Sequence, residues 1–505
     1  MKNNNEQVLI NNGVSYKDRI MVALVAILGI LFCEFSFDGL GISVPAFLII
    51  FYAVVLWYFK QKGERLSKQG KLLFIPISLL ALCFLIFSNP LLKFFNVLLL
   101  FFLIIIQLGV LNNVLKNRLF SFGTLADFFT LSVALPILNF TKIFKVISNE
   151  DTNKSLISKT VFNIVIGVII SIPALLIVIA LLMSADAVFN KVVMDILNFI
   201  AINIGEYIFK VVFGLFLAIP LFGLLYSLKN KQNKGLVFID TSKINNAQKV
   251  NNTIINTALI LLCIIYILFI GLQFSYLFNG FIGKLPKNFI VSEYARRGFF
   301  EMEVIAIINY LILLVSYIIA KRKNSKIIKV TKTLFSAITV LTVLLITTAL
   351  SKMFLYVDIF GLTPLRIYTL WFMLLTIIFF IILILKIFIK NISFFRSSML
   401  SFIVLFIILN FSCIDFIIPK YNIDRYINDN SKKVDVLMFR DLSYEMMPQL
   451  ARLLDVQDEN IKKDAQNVFY IKAQKIYKQK HWQEFNISSY FARKIADKKI
   501  TSNFN

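Results

Sequence analysis

The chain has 505 residues, 58% of them hydrophobic and only 16% charged, and its mean hydropathy is +0.79. A water-soluble domain could not cover so apolar a core, which excludes an ordinary soluble globular fold. The formal net charge of +25 does not point to nucleic acid, because Lys and Arg gather in alternate connections between apolar runs; that is the pattern of cytoplasmic loops facing anionic headgroups.

Apolar runs recur at lengths suited to helices of about 20 residues crossing roughly 30 Å of hydrocarbon. The expected fold is all-α: a polytopic integral membrane helical bundle of about eleven transmembrane helices with a small helical C-terminal tail domain. Residues 1–19 form a cytoplasmic N-terminus. Residues 20–112 hold four spans, at 20–36, 43–59, 71–88 and 91–112. The first is not a cleaved leader, since Glu34 and Asp38 stand where small cleavage-site residues belong. Lys60, Lys62, Arg65, Lys68 and Lys71 place the connection after the second span in the cytoplasm.

Residues 113–159 then form a cytoplasmic connection. Within it, 124–140 is apolar but interrupted by Asp127 and Pro136, and a crossing there would carry every later Lys-rich connection outside, so it is expected as an interfacial or re-entrant helix. Residues 160–418 supply seven more spans, at 160–183, 206–227, 254–278, 299–320, 333–356, 367–388 and 398–418. Pro76, Pro173 and Pro220 interrupt apolar helices and are expected to kink them. Lys321, Arg322, Lys323, Lys326, Lys329 and Lys332 mark another cytoplasmic connection. After Pro419 the chain turns polar, and residues 419–505 are expected as the tail domain, on the non-cytoplasmic side if the spans number eleven.

The four cysteines, Cys33, Cys83, Cys263 and Cys413, fall in or at the end of apolar runs and read as small core residues. His481 is the only histidine, and no CxxC, HExxH, Gly-rich phosphate loop or dinucleotide fingerprint occurs. No metal site and no cofactor is expected. Two segments on the non-cytoplasmic side carry local signals. Ser184 is placed to cap an amphipathic helix lying on the membrane surface like a lid. Thr363 followed by Pro364 starts another helix, on which Tyr368 and Trp371 suit an interfacial aromatic belt.

Charged residues at the non-cytoplasmic ends of the spans are the candidate site. Glu293, Arg297 and Glu301 form an i, i+4 stripe, with Arg296 and Glu303 on a neighbouring face. Glu206 and Lys210 are one turn apart, Lys352 lies near the end of its span, Arg366 precedes the tenth span and Asp415 lies close to the end of the last. Charges at such depth face the protein interior and find partners, or snorkel to water. A shared pocket of Glu206, Lys210, Glu293, Arg296, Arg297, Glu301, Glu303, Lys352, Arg366 and Asp415 is the expectation, binding a small molecule or lipid.

Five stretches in order, SADAVF (184–189), EYARRGFFE (293–301), GLTPLRIYTLWFM (361–373), DFIIPKYNIDRY (415–426) and DLSYEMMPQL (441–450), resemble those of the domain of unknown function 4173, related to 4153, over roughly residues 155–460. The resemblance implies a multi-pass bacterial inner-membrane protein and supplies no catalytic residues. Three classes of function fit. A transporter or lipid or small-molecule permease explains many spans and one charged mouth. A sensing or envelope-regulatory protein explains the tail and surface helices. An enzyme acting on a lipid-linked substrate would need carboxylates such as Glu301 and Asp415 to converge.

Overall fold

The computed structural model describes residues 15–60, 67–115, 117–147, 171, 175, 177–203, 205–231, 251–273, 299–319, 325–389, 391–429 and 433–503. Among them every regular element is helical. Eight helices are long and apolar enough to cross a membrane: Tyr16–Phe37, Lys68–Ile86, Pro90–Leu111, Gly205–Lys229, Asn252–Leu272, Lys329–Phe360, Pro364–Phe388 and Phe394–Phe411. The expected span at 43–59 forms a 17-residue helix, that at 299–320 forms Phe299–Ile319, and that at 160–183 lies mostly outside the described residues. The protein is a helical membrane protein, in which lipid leaves backbone groups no partner but the helix itself.

The helices that position the site are α1 (Tyr16–Phe37), α2 (Ser43–Phe59), α3 (Lys68–Leu72), α4 (Phe74–Ile86), α5 (Pro90–Leu111), α6 (Gly123–Phe129), α7 (Leu135–Leu138), α8 (Lys142–Ile147), α9 (Ala187–Asn203), α10 (Gly205–Lys229), α11 (Asn252–Gln273), α12 (Phe299–Ile319), α13 (Ser325–Phe360), α14 (Pro364–Phe388), α15 (Phe394–Phe411) and α16 (Ile414–Asn428). The polar tail adds short 3-10 turns, α17 (Met447–Leu450), α18 (Glu459–Tyr477) and α19 (Ile487–Asn503). Two apolar cores form. One joins α1, α2, α4, α5, α10, α15, α16 and the tail; the other joins α11, α12, α13 and α14.

Among the described residues α1 packs closely against α10, running antiparallel. Gly29 meets Gly214 so closely that a Cβ on Gly29 would lie 2.0 Å from the Gly214 carbonyl oxygen, the kind of small-residue crossing that lets membrane helices pack backbone to backbone. Ion pairs pin both ends. At one, the Lys229 ammonium lies 2.6 Å from Asp18, whose carboxylate also accepts from Tyr58 at 2.8 Å. At the other, Lys210 bonds Asp38. Asp18 and Asp38 are 20 positions apart on one helix and its C-cap, about 30 Å at 1.5 Å per residue, so the two charge clusters are separated by about the thickness of a hydrocarbon core.

The segment expected as an interfacial or re-entrant helix is helical but broken: α6, a π-turn over Thr130–Ala134, then α7. Asp127 turns back to accept from the Asn117 backbone and side chain, both at 3.1 Å. The lid-like helix begins at Ala187, and its cap is Asp186, which accepts from the Phe189 amide at 2.6 Å. Ser184 instead donates to the Leu181 carbonyl, so the cap stands two residues later than the sequence suggested. Its apolar face is open, with Val188 72% exposed.

Candidate functional site

The ends of α1, α4, α13 and α15 and the starts of α2, α5, α10 and α14 are tied by direct hydrogen bonds into one polar layer, opposite the Lys-rich connections. Turn geometry builds it. Thr363 caps α14 with Pro364 in its first turn, as its sequence signals. Gly361 takes a positive φ of 80°. The Asn422 side chain clamps Leu362 from both sides, accepting from its amide at 2.7 Å and donating to its carbonyl at 2.8 Å. Arg366 donates to the Phe360 and Gly361 carbonyls and stacks 4.2 Å from the Tyr356 ring centre, so it holds this turn together. Cys413, in the left-handed region with φ 52°, breaks α15 from α16 and sets Asp415 beneath the tail.

Three assemblies of charge are distinct, two within the layer and one beneath it. In the first, Lys210 is 4% exposed and contacts Glu206 at 2.8 Å, Asp38 at 2.8 Å and Glu34 at 3.1 Å. Gln483 of the tail donates to the Glu34 carboxylate at 3.2 Å and to Asp38 at 3.1 Å. A lysine so enclosed is not snorkelling; it neutralises carboxylates brought from two helices.

The second assembly is a carboxyl pair. Asp415 accepts from the Asn89 side chain and the Ser443 amide, both at 2.9 Å, and touches the Ser443 hydroxyl. That hydroxyl also touches Glu445, which accepts from the Ser88 hydroxyl at 2.9 Å and from the Ser88 amide. One hydroxyl hydrogen serves only one carboxylate, so the second carboxyl can bond Ser443 only by donating a proton of its own. Burial, with the Glu445 charge adding to it, raises Asp415 above the ordinary aspartate value of 3.8, against the opposing bonds from Ser443 and Asn89. An acid whose pKa is raised by folding stabilises the folded state below its unfolded pKa, and that contribution fades as pH rises through the folded one. Docking of the tail should therefore loosen as pH is raised from the ordinary carboxylate range upward. Hydrogen exchange of residues 437–455, corrected for the chemical rate, should show falling protection, and Asp415→Asn should flatten the dependence. Lys472, which donates to the Leu442 carbonyl and is pushed below the usual ammonium range by burial, acts in the opposite sense.

The third assembly lies deeper. Glu303, on α12 and 6% exposed, accepts from the Thr376 hydroxyl of α14 at 2.6 Å. It lines a cleft of about 870 Å³ at the seam of the two cores, walled by α5, α12, α14 and α15. Trp371 and Tyr368, which suit an aromatic belt by sequence, line the same cleft. Trp371 donates to the Leu405 carbonyl at 3.0 Å, and Tyr368 accepts from Asn89 at 3.4 Å. Half-buried there, each ring has a partner for its polar atom.

Of the residues expected in one pocket, Glu206 and Lys210 share the first assembly, Asp415 belongs to the second and Glu303 to the third. Lys352 is buried and interacts with Glu301, which is exposed. Arg366 serves the α13–α14 turn. Glu293, Arg296 and Arg297 lie outside the described residues. Asp415 meets Glu445, not the Glu301 that the enzymatic reading paired it with. Sequence reasoning passed over Glu34, Asp38, Ser88, Asn89, Ser443, Glu445 and Gln483. Glu34 and Asp38 could have been found, since acids one turn apart at the end of an apolar span need a cation at that depth. Among the described residues no group of three or more His, Cys, Asp or Glu is placed to hold a metal ion.

The family model that matches the chain is described as Domain of unknown function (DUF4153) and covers residues 74–453. The matching family is thus 4153, the relative of the 4173 family the motifs suggested, and the match reaches into the N-terminal bundle that those motifs did not touch. No curated protein and no solved structure matches.

Proposed function

The chain belongs to the DUF4153 family, and from the site on its membrane bundle we propose that it is a permease for a lipid or lipophilic small molecule. The cleft carries this reading. It runs along α5 from Leu91 to Phe102, eleven positions and about 16 Å, or half the hydrocarbon thickness. Leu92 borders both the cleft and the small cavity beside Asp415, so an apolar path from mid-membrane ends against a polar layer. Such a path suits an amphiphile whose hydrocarbon chain lies along the cleft. Its volume falls within the usual range of small-molecule sites, roughly 300–1,000 Å³. The rim is open, with Phe95, Leu98 and Val304 45%, 52% and 54% exposed, as entry from the bilayer requires.

In this reading the charged layer, including Glu206, Lys210, Glu301, Lys352, Arg366 and Asp415, faces the non-cytoplasmic side of a bacterial inner membrane, with the N-terminus in the cytoplasm and the tail outside. An enzymatic role for the carboxyl pair is disfavoured, because both carboxyls are taken up by bonds to Ser443, Ser88 and Asn89 that dock the tail. The test is lipid profiling of cells lacking the gene, complemented by native protein or by Val304→Trp, which fills the cleft from its rim. Native protein should restore the profile and Val304→Trp should fail while reaching the membrane in equal amount. Full restoration by Val304→Trp would remove the cleft from the function.

A further inference from the structure

Glu303 is the one charged side chain lining the cleft among the described residues, and half of its carboxyl is unused. Oε1 accepts from Thr376, whereas Oε2 is buried and has no hydrogen-bond partner among the described residues. Leaving a buried polar atom unpaired in an apolar site costs about 1–3 kcal/mol, and more for a charged one, which is hard to reconcile with a site that only packs hydrocarbon. The Thr376 hydroxyl also bonds the Phe372 carbonyl of its own helix at 2.9 Å. Where that hydrogen goes to Oε1, Oε2 is left as an unpaired, buried acceptor in the wall of the cleft.

Taking the cleft as a lipid site, as proposed above, we infer that Glu303 selects an amphiphile whose head group is an amine. Three features of the wall lead there. The free oxygen needs a donor, which a hydroxyl or an amine supplies and a carboxylate or phosphate does not. No Lys or Arg lines the cleft among the described residues, so an anionic head would meet Glu303 with no counter-charge. Between the two donors, an ammonium makes the charge-assisted bond, about twice as strong as a neutral one, and compensates a carboxylate in surroundings where a lone charge is expensive. The hydrocarbon chain then lies along Phe95, Leu99 and Phe102 of α5, facing Phe402 and Phe406 of α15.

Trp371 lines the cleft and reports its occupancy. The experiment uses the full chain in nanodiscs with Trp57→Phe and Trp482→Phe, leaving Trp371 as the single indole, and titrates chain-brominated hexadecylamine, hexadecanol and hexadecanoic acid against its fluorescence. The amine should quench at about tenfold lower concentration than the alcohol, and the acid should be weakest. In Glu303→Gln the amine's advantage should vanish while the alcohol quenches as before, which also shows that the variant is folded. Equal affinity for all three probes, a preference for the acid, or an amine preference that survives Glu303→Gln would overturn the assignment to Glu303 while leaving the cleft as a lipid site. Failure of every probe to quench Trp371 would overturn both.

Discussion

Replacing Lys210 by methionine should destabilise the folded protein by about 3–5 kcal/mol, the usual cost of removing one member of a buried ion pair and stranding the other. The side chain is close in size and suits an apolar helix, so the loss comes from charge alone. Without the ammonium, Asp38, whose side chain is 10% exposed, and Glu34 would face each other with only Gln483 to bond them. Thermal unfolding in detergent measures the effect. Lys210→Met with Asp38→Asn should recover a large part of the loss, because the most buried of the stranded acids is then neutral. A single variant as stable as the native protein would mean that the three carboxylates find other compensation, and that the assembly contributes nothing to holding α1 on α10.

Gly214→Val should cost about 3 kcal/mol or more, at or beyond the usual upper range for overpacking. A Cβ on Gly214 would lie 2.7 Å from the backbone nitrogen and Cα of Ile30. Backbone, unlike a side-chain tip, cannot swing aside, so α1 and α10 must separate. The ion pairs at both ends would lengthen with them, and the readout is a lower unfolding temperature together with greater exchange of the α1 amides. Gly271, with nothing within 4 Å of a Cβ, is the control: Gly271→Ala should leave both unchanged.

Local features were legible because they depend on neighbours in the chain. The Thr363–Pro364 start of α14 and the Glu206–Lys210 contact of one helical turn both appear as the spacing implies. Where two local solutions competed the sequence misled: Ser184 and Asp186 can each cap, and the structure uses Asp186 because the helix starts at Ala187. Tyr368 and Trp371 fit an interfacial belt by composition, yet their orientation depends on where α5 and α15 pack, which no window of sequence contains.

Composition and the spacing of apolar runs by themselves determined that this chain lives in a membrane as a helical bundle, because burying a helix in lipid depends only on its own side chains and backbone. They also marked Lys210, Glu303 and Asp415 as charges needing partners. Only the tertiary structure decided which partners: Asp38 lies 172 positions from Lys210, Asn89 lies 326 from Asp415, and Thr376 lies 73 from Glu303. At such separations chain connectivity imposes almost no geometry, so the division of one expected pocket into three assemblies, and the cleft between two cores, arise from how the helices pack.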